Sequence, residues 1–299
     1  ERQRSFHSQR IARAERGGSC PEFDQNLRDC RQRQFFYSHR TRIRIKALNR
    51  EKFNAMKIYK RPGLLLLVFY LTISAVWGQK NVKGSGYVLT QQRETADFTS
   101  IEISRGIDVA IVRGEMEPIT VEADDNLFSY IKTTVKNKVL KIYIPDSVNI
   151  VKYASMNVLI SMPTLGSLKA SNHSRIDAWP QIWNLRTIRL EATTGGQIRI
   201  RLKAEDIQAE ARTSGILEIK GEAQNLQAIL KTAARLEARE LETQNADIQL
   251  SIGAKAEIQV NQRLTYDLYG HSRLVIKGNP QIENSHNYSG SMHILYPTP

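Results

Sequence analysis

The stretch Ile188–Ile219, "IRLEATTGGQIRIRLKAEDIQAEARTSGILEI", holds the pattern from which the fold follows. Ile188, Leu190 and Ala192 alternate with polar residues. After a short gap the alternation resumes at Gly196, Ile198 and Ile200. The same spacing returns 19 residues later at Ile207, Ala209 and Ala211, then Gly215, Leu217 and Ile219. A period of two is the mark of a half-buried strand. The gap residues, Thr193-Thr194-Gly195 and Thr213-Ser214, are small enough to turn the chain.

Three further copies extend the frame toward the C-terminus. They begin at Leu226, Ile248 and Leu264, and a weaker copy precedes them at Leu168, Ala170, Ser174, Ile176 and Ala178. Of the 30 frame positions in the five full copies, 27 are apolar; of the 20 positions between them only Ile216, Ile229 and Val275 are. A chain that is 41% hydrophobic overall does not segregate this way by chance. A fixed period near twenty indicates a solenoid. The competing reading is helix, because "LKTAARLEARELETQ" is rich in strong helix formers. Its apolar residues nevertheless occupy the same frame as "YDLYGHSRLVI", and agreement across copies outweighs local propensity. Each copy is therefore read as two short strands around a corner. Successive coils of about 19 residues pair in parallel and bury one face: an all-β solenoid, or β-helix.

Upstream, "SIEIS", "GIDVAIV", "PITVEA" and "VLKIYI" show the same alternation. Asp124 or Asp125 is placed to cap a short helical turn before Leu127. Asn137-Lys138 predicts a hairpin turn. "WPQIW" reads as a loop between coils that carries Trp179 and Trp183. The tail "NYSGSMHILYP" is expected to close the end of the solenoid, since bare strand edges invite association.

Charge is distributed unevenly. Residues 1–55 contain 14 Lys and Arg against 6 Asp and Glu, whereas the chain from Gln79 onward has 26 against 24. Met56–Gly78 has the form of a signal peptide. Lys57, Lys60 and Arg61 precede a 13-residue apolar run, Leu64–Val76, and small residues stand at Val76 and Gly78. The run is short for a membrane span, although a buried core helix or an uncleaved anchor shares its composition. Cleavage after Gly78 leaves Gln79 rather than a cysteine at the new terminus, so no lipid anchor is expected. Residues 1–55 read either as a basic nucleic-acid-binding arm or as a stretch upstream of the true start at Met56. The second is preferred because a signal peptide works at an N-terminus. On that reading nucleic acid is not a partner, and both cysteines, Cys20 and Cys30, lie outside the domain. The domain then spans 79–299 and carries no membrane span.

The run "GSGYVLTQQRETADFTSIEISRGIDVAIVRGEMEPITVEADDNLFSYIKTTVKNKVLKIYI" resembles the opening of the head GIN domain family, the auto-transporter adhesin heads found mostly in Bacteroidetes. Gly106, Ile107 and Asp108 match its Gly-Ile-Asn/Asp signature, and Asp124-Asp125 match the acidic pair that follows. The resemblance extends from about Gly84 to Pro297. It implies a right-handed parallel β-helix exported to the envelope or surface.

No nucleophile motif, phosphate loop or metal-ligand spacing occurs, and neither a cofactor nor a metal is expected. His173, His271, His286 and His293 are scattered. The leading expectation is a non-catalytic, adhesin-like module whose partner is a glycan or an envelope protein. Trp179 and Trp183 are the candidate binding residues, with a role as cover for the core edge as the alternative. A polysaccharide-active enzyme is the second reading, with Asp124, Asp125 and Asp177 as its carboxylates. Three or more outward carboxylates and an arginine on one face would favour it. A periplasmic scaffold or stress-related partner protein is the third.

Overall fold

Alternating burial is the rule throughout the computed structural model, which describes residues 79–295. The upstream segment and the signal peptide read at 1–78, like Tyr296–Pro299, lie outside the described residues. The chain winds into a β-solenoid of about seven turns with coils of ~19 residues. Leu190, Leu217, Leu236 and Ile258, one from each of four strands, are all fully buried. Burying a large aliphatic side chain is worth roughly 1.5–3 kcal/mol, and the inward columns to which these residues belong are the main source of the fold's stability.

Long strands at Arg175–Thr193, Gln197–Arg212, Ile216–Lys231, Arg235–Ser251 and Lys255–Leu268 each pair in parallel with the next. Between them stands a column of tight turns whose backbone is left-handed: Arg105-Gly106, Asn172-His173, Thr194-Gly195, Thr213-Ser214, Thr232-Ala233, Ile252-Gly253 and Gly270-His271. A small inward residue follows each of the later turns. At Gly215 the space is tightest, because a Cβ there would stand 2.1 Å from the Ala192 carbonyl oxygen.

The structure corrects the frame in one copy. The register partner of Leu226 is Ala246, and that of Ala228 is Ile248. The fourth copy therefore begins at Ala246, and Ile252 stands 63% exposed in a turn instead of inside. Each lap also has a further inward stretch that the frame omits, for example Leu202 and Ala204. "WPQIW" is not a loop. It lies within the strand Arg175–Thr193, where the register shifts between Ala178 and Ile182. The helix formers of 230–244 lie in strands and a turn, because their apolar residues can be buried only by the neighbouring laps.

The N-terminal end is closed by one more parallel rung and then by antiparallel strands. Val139–Tyr143 and Met156–Met162 lay a parallel rung against Ser100–Ser104 and Asp108–Arg113. Lys132–Lys136 and Ile119–Asp124 then add antiparallel edges, and Val88–Arg93 pairs antiparallel with the latter. The hairpin at Asn137-Lys138 forms as read, both residues having positive φ. At the other end, Ser291–Leu295 pairs in parallel with Arg273–Lys277, so the tail adds a last rung with Met292 and Ile294 half over the core.

Asp124 precedes the 3-10 turn Asp125–Leu127, but its side chain does not cap it. The buried carboxylate instead accepts backbone N–H groups of Gly86 at 2.9 Å, Ala154 at 2.9 Å and Ser155 at 3.0 Å. Burial alone would raise its pKa. These hydrogen bonds outweigh burial and hold it below the usual carboxylate range. Among the described residues no helix is long and apolar enough to cross a membrane.

Candidate binding groove

Where register shifts recur, the outer wall cannot stay flat. The shifts between Ala178 and Ile182, Glu218 and Gly221, and Ala238 and Glu242 fall on the same side of the solenoid. Gly221 permits the second of them. Its φ is +117° and a Cβ would meet the Leu202 carbonyl oxygen at 1.9 Å, so only glycine fits. Along this column of bulges runs a groove of about 910 Å³ that crosses four laps.

Two outward rows form its floor, fixed by strand register. One reads Ile182, Arg201, Lys220; the other reads Asn184, Lys203, Glu222, Glu242. Charge is therefore sorted along the groove, basic toward the N-terminal laps and acidic toward the C-terminal ones. Lys203 pairs with Glu222 at 2.8 Å, and Lys220 pairs with Glu240 at 2.9 Å. Hydrogen bonds to those carboxylates raise the pKa of both ammonium groups, so each stays charged well above neutral pH. Arg113 and Arg201 line the basic end and form no ion pair among the described residues. The Arg113 guanidinium donates to the Ile182 carbonyl at 3.3 Å.

The two predicted aromatic residues separate here. Trp179 is half-buried at the groove wall, with the Arg201 guanidinium 5.6 Å and the Lys220 ammonium 5.1 Å from its ring centroid. Trp183 points inward, 1% exposed, as a rung of the core above Leu202. It covers the core and presents no face to a ligand. Arg113, Arg201 and Lys220 were not singled out from the sequence. Their meeting depends on the bulges, and only Gly221 hints at those.

The proposed catalytic carboxylates do not converge. Asp124 is used up by backbone donors, Asp125 accepts from Ser85 Oγ, and Asp177 pairs with Arg199. A different set does gather. Asp108, Glu122 and Asp177, with Arg175, line a hollow of about 380 Å³ on the sheet face. Burial pushes the Asp108 carboxyl above its usual range, against the pull of Arg175. Glu122 is held by Ser155 Oγ at 2.7 Å and Asn157 Nδ2 at 3.2 Å. Elsewhere on the outer face Glu218, Glu237 and Glu257 stand in register. Among the described residues no three His, Cys, Asp or Glu side chains are grouped to hold a metal.

The signature residues have structural work. Gly106 takes φ +71° in the first of the column of turns. Ile107 is fully buried, and its N–H donates to Ser174 Oγ at 3.2 Å. Asp108 opens the strand that bears the carboxylate hollow.

The family described as "Putative auto-transporter adhesin, head GIN domain" matches residues 97–280. Several solved structures share the fold. A protein described as a putative adhesin from Bacteroides fragilis NCTC 9343 is 17% identical, with a TM-score of 0.66 over 72% of this chain and 99% of that one. One described likewise from Parabacteroides merdae ATCC 43184 is 18% identical, with a TM-score of 0.60 over 72% and 99%. One described as a putative lipid binding protein from Parabacteroides distasonis ATCC 8503 is 16% identical, with a TM-score of 0.53 over 72% and 100%. No curated protein matches the chain.

Proposed function

Because this chain belongs to the head GIN domain family, we propose that it is an exported, non-catalytic module of the cell envelope or surface that binds a glycan in the groove along its bulges. The carrying observation is Trp179, a half-exposed indole beside exposed Ile182 in a polar, four-lap trough. Sugars offer one apolar ring face and a rim of hydroxyls. A single aromatic ring among charged donors and acceptors suits both. Laps repeat every ~4.8 Å along the axis, close to the rise of one pyranose in an extended chain, so successive rungs can address successive sugars. The family's description as an auto-transporter adhesin head supports the address. A mature start at Gln79, found by N-terminal sequencing of protein recovered outside the cytoplasm, is the expected result. Retention of Arg2–Asn54 in that material would defeat it.

A glycan array probed with the purified protein tests the binding reading. Binding that Trp179→Ala reduces supports it. Capture of an envelope protein with no glycan bound would favour a scaffold instead. The second reading, a polysaccharide-active enzyme, is favoured by one observation: Asp108, Glu122, Asp177 and Arg175 share one hollow, and a raised carboxyl pKa suits a general acid. It ranks below binding because Glu122 and Asp177 are both tied up by neighbours. Release of reducing or unsaturated ends from a bound polysaccharide, lost in Asp108→Asn, would establish it.

A further inference from the structure

We infer that the groove selects an acidic glycan, one whose sugars carry carboxylates, and that the Trp179 end is where the anion is read. This rests on the reading of the groove as a glycan site. The charges in the groove are not equivalent. Lys203 and Lys220 already hold carboxylates at 2.8 and 2.9 Å, so their charge is largely spent. Of the four cations that line the groove, Arg113 and Arg201 have no acidic partner among the described residues, and both stand at the end that holds Trp179. A guanidinium is planar and always charged, and its fork matches a carboxylate at two points. A guanidinium held over an indole by its charge keeps its N–H groups available to donate. A uronic acid seated here would lay its ring against Trp179 and Ile182 while its carboxylate met Arg201.

The opposite end reinforces the selection. Glu242 has no ion pair among the described residues and lies in register with Glu222. An anion would be repelled there and drawn toward the arginines, which fixes the direction in which a charged chain lies. An acidic peptide satisfies the same charges less well. Peptides gain affinity on sheets by adding a strand to a free edge, and the laps beneath this groove are already paired on both sides.

Oligogalacturonides and the same oligomers fully methyl-esterified differ only in the carboxylate charge, and calorimetry with the full protein compares them directly. The acidic form is expected to bind about tenfold or more tightly than its ester, and to weaken as salt rises. Arg201→Gln is expected to lower the affinity for the acidic form more than for its ester and so to abolish that preference, with the melting temperature unchanged. Trp179→Ala is expected to weaken both forms. Equal binding of acid and ester would overturn the charge selection and leave the glycan site standing. Binding of neither, together with no response on a wider neutral array, would overturn both. Equal binding of dextran sulfate that Arg201→Gln does not alter would mark the attraction as non-specific, and tighter binding of poly-glutamate than of the acidic oligomer would assign the groove to a peptide. Either result refutes the inference.

Discussion

Trp179 and Trp183 lie four residues apart in one strand, and their rings face opposite ways. Trp179 rests beneath the Lys220 ammonium at the groove wall, while Trp183 is sealed in the core with its Nε1–H donating to the Ala178 carbonyl at 3.3 Å. The bulge between Ala178 and Ile182 produces the reversal, because inserted residues break the alternation that would place both on one side.

That reversal predicts a separation of stability from binding. Trp183→Ala leaves a cavity and an unpaired carbonyl in the core, and is expected to cost about 3–5 kcal/mol in urea unfolding. Trp179→Ala removes a half-exposed ring whose contacts to cations are worth about 0.5–1 kcal/mol, so its midpoint should move little. Comparable losses in both variants would mean that Trp179 is also a core residue.

Asp124 predicts an acid limit on the N-terminal end. Its carboxyl is held below the usual range in the folded state by N–H groups of Ser155, Gly86 and Ala154. The stabilisation is therefore complete above the unfolded value of about 3.9, and is lost as pH falls through the lower folded value. Asp124→Asn keeps the shape but offers only one acceptor oxygen for three donors. It should cost roughly 1–3 kcal/mol at pH 7, and its deficit relative to the natural chain should shrink below about pH 4. Unfolding followed between pH 7 and pH 2 measures this. A deficit that stays constant with pH would show that the carboxylate charge contributes nothing. Gly84 stands beside this carboxylate, where a Cβ would be 2.1 Å from Oδ2, so Gly84→Ala should disturb the same site.

The sequence made most of the solenoid legible and little of the groove. Alternation at Leu190, Leu217 and Leu236 fixed the inward face because burial depends on a period of two, which any single lap displays. It failed at Ile252, because the lap from Leu226 to Ala246 takes 20 residues and the next, to Leu264, takes 18, and a two-residue slip still lands on apolar side chains. Of the two closing rungs, Val139–Tyr143 reads correctly as a strand from its alternation, whereas Met156–Met162 was not singled out. Their place beneath the first lap did not follow, since that order depends on a long excursion and on antiparallel pairings made far along the chain. The meeting of Trp179 with Arg113 and Arg201 was hidden for a similar reason. Outward residues are not constrained by burial, and their neighbours are set by bulges that leave almost no composition signal.

Gly215 allows a direct test of lap spacing. Its missing Cβ would sit 2.1 Å from the Ala192 oxygen and 3.1 Å from that of Arg212, both backbone atoms that cannot move aside cheaply. Gly215→Ala is expected to cost about 1–3 kcal/mol through overpacking, with the melting temperature falling accordingly. Gly253→Ala meets open space and is strained only by its φ of +70°, so its cost should be nearer 1 kcal/mol. A larger loss at Gly253 than at Gly215 would contradict the spacing.

Ile252 carries the opposite expectation, a gain in stability on substitution. It occupies the first left-handed position of its turn with φ 54°, and it is 63% exposed. A β-branched residue pays about 1–2 kcal/mol to adopt that conformation, and with so little area buried it recovers little of this from packing. The equivalent position two laps below is Thr213 (φ 48°), and lower in the same column stands Asn172 (φ 51°), a residue type whose short polar side chain tolerates this region. Ile252→Asn is therefore expected to raise stability by about 1 kcal/mol, seen as a higher urea midpoint with an unchanged slope. It should also remove an exposed apolar side chain from a surface that already carries Tyr269 and Tyr288 stacked at 4.7 Å. A lower midpoint would show that Ile252 packs against this aromatic pair strongly enough to outweigh its backbone strain. The last laps would then carry a hydrophobic contact that outward exposure does not reveal.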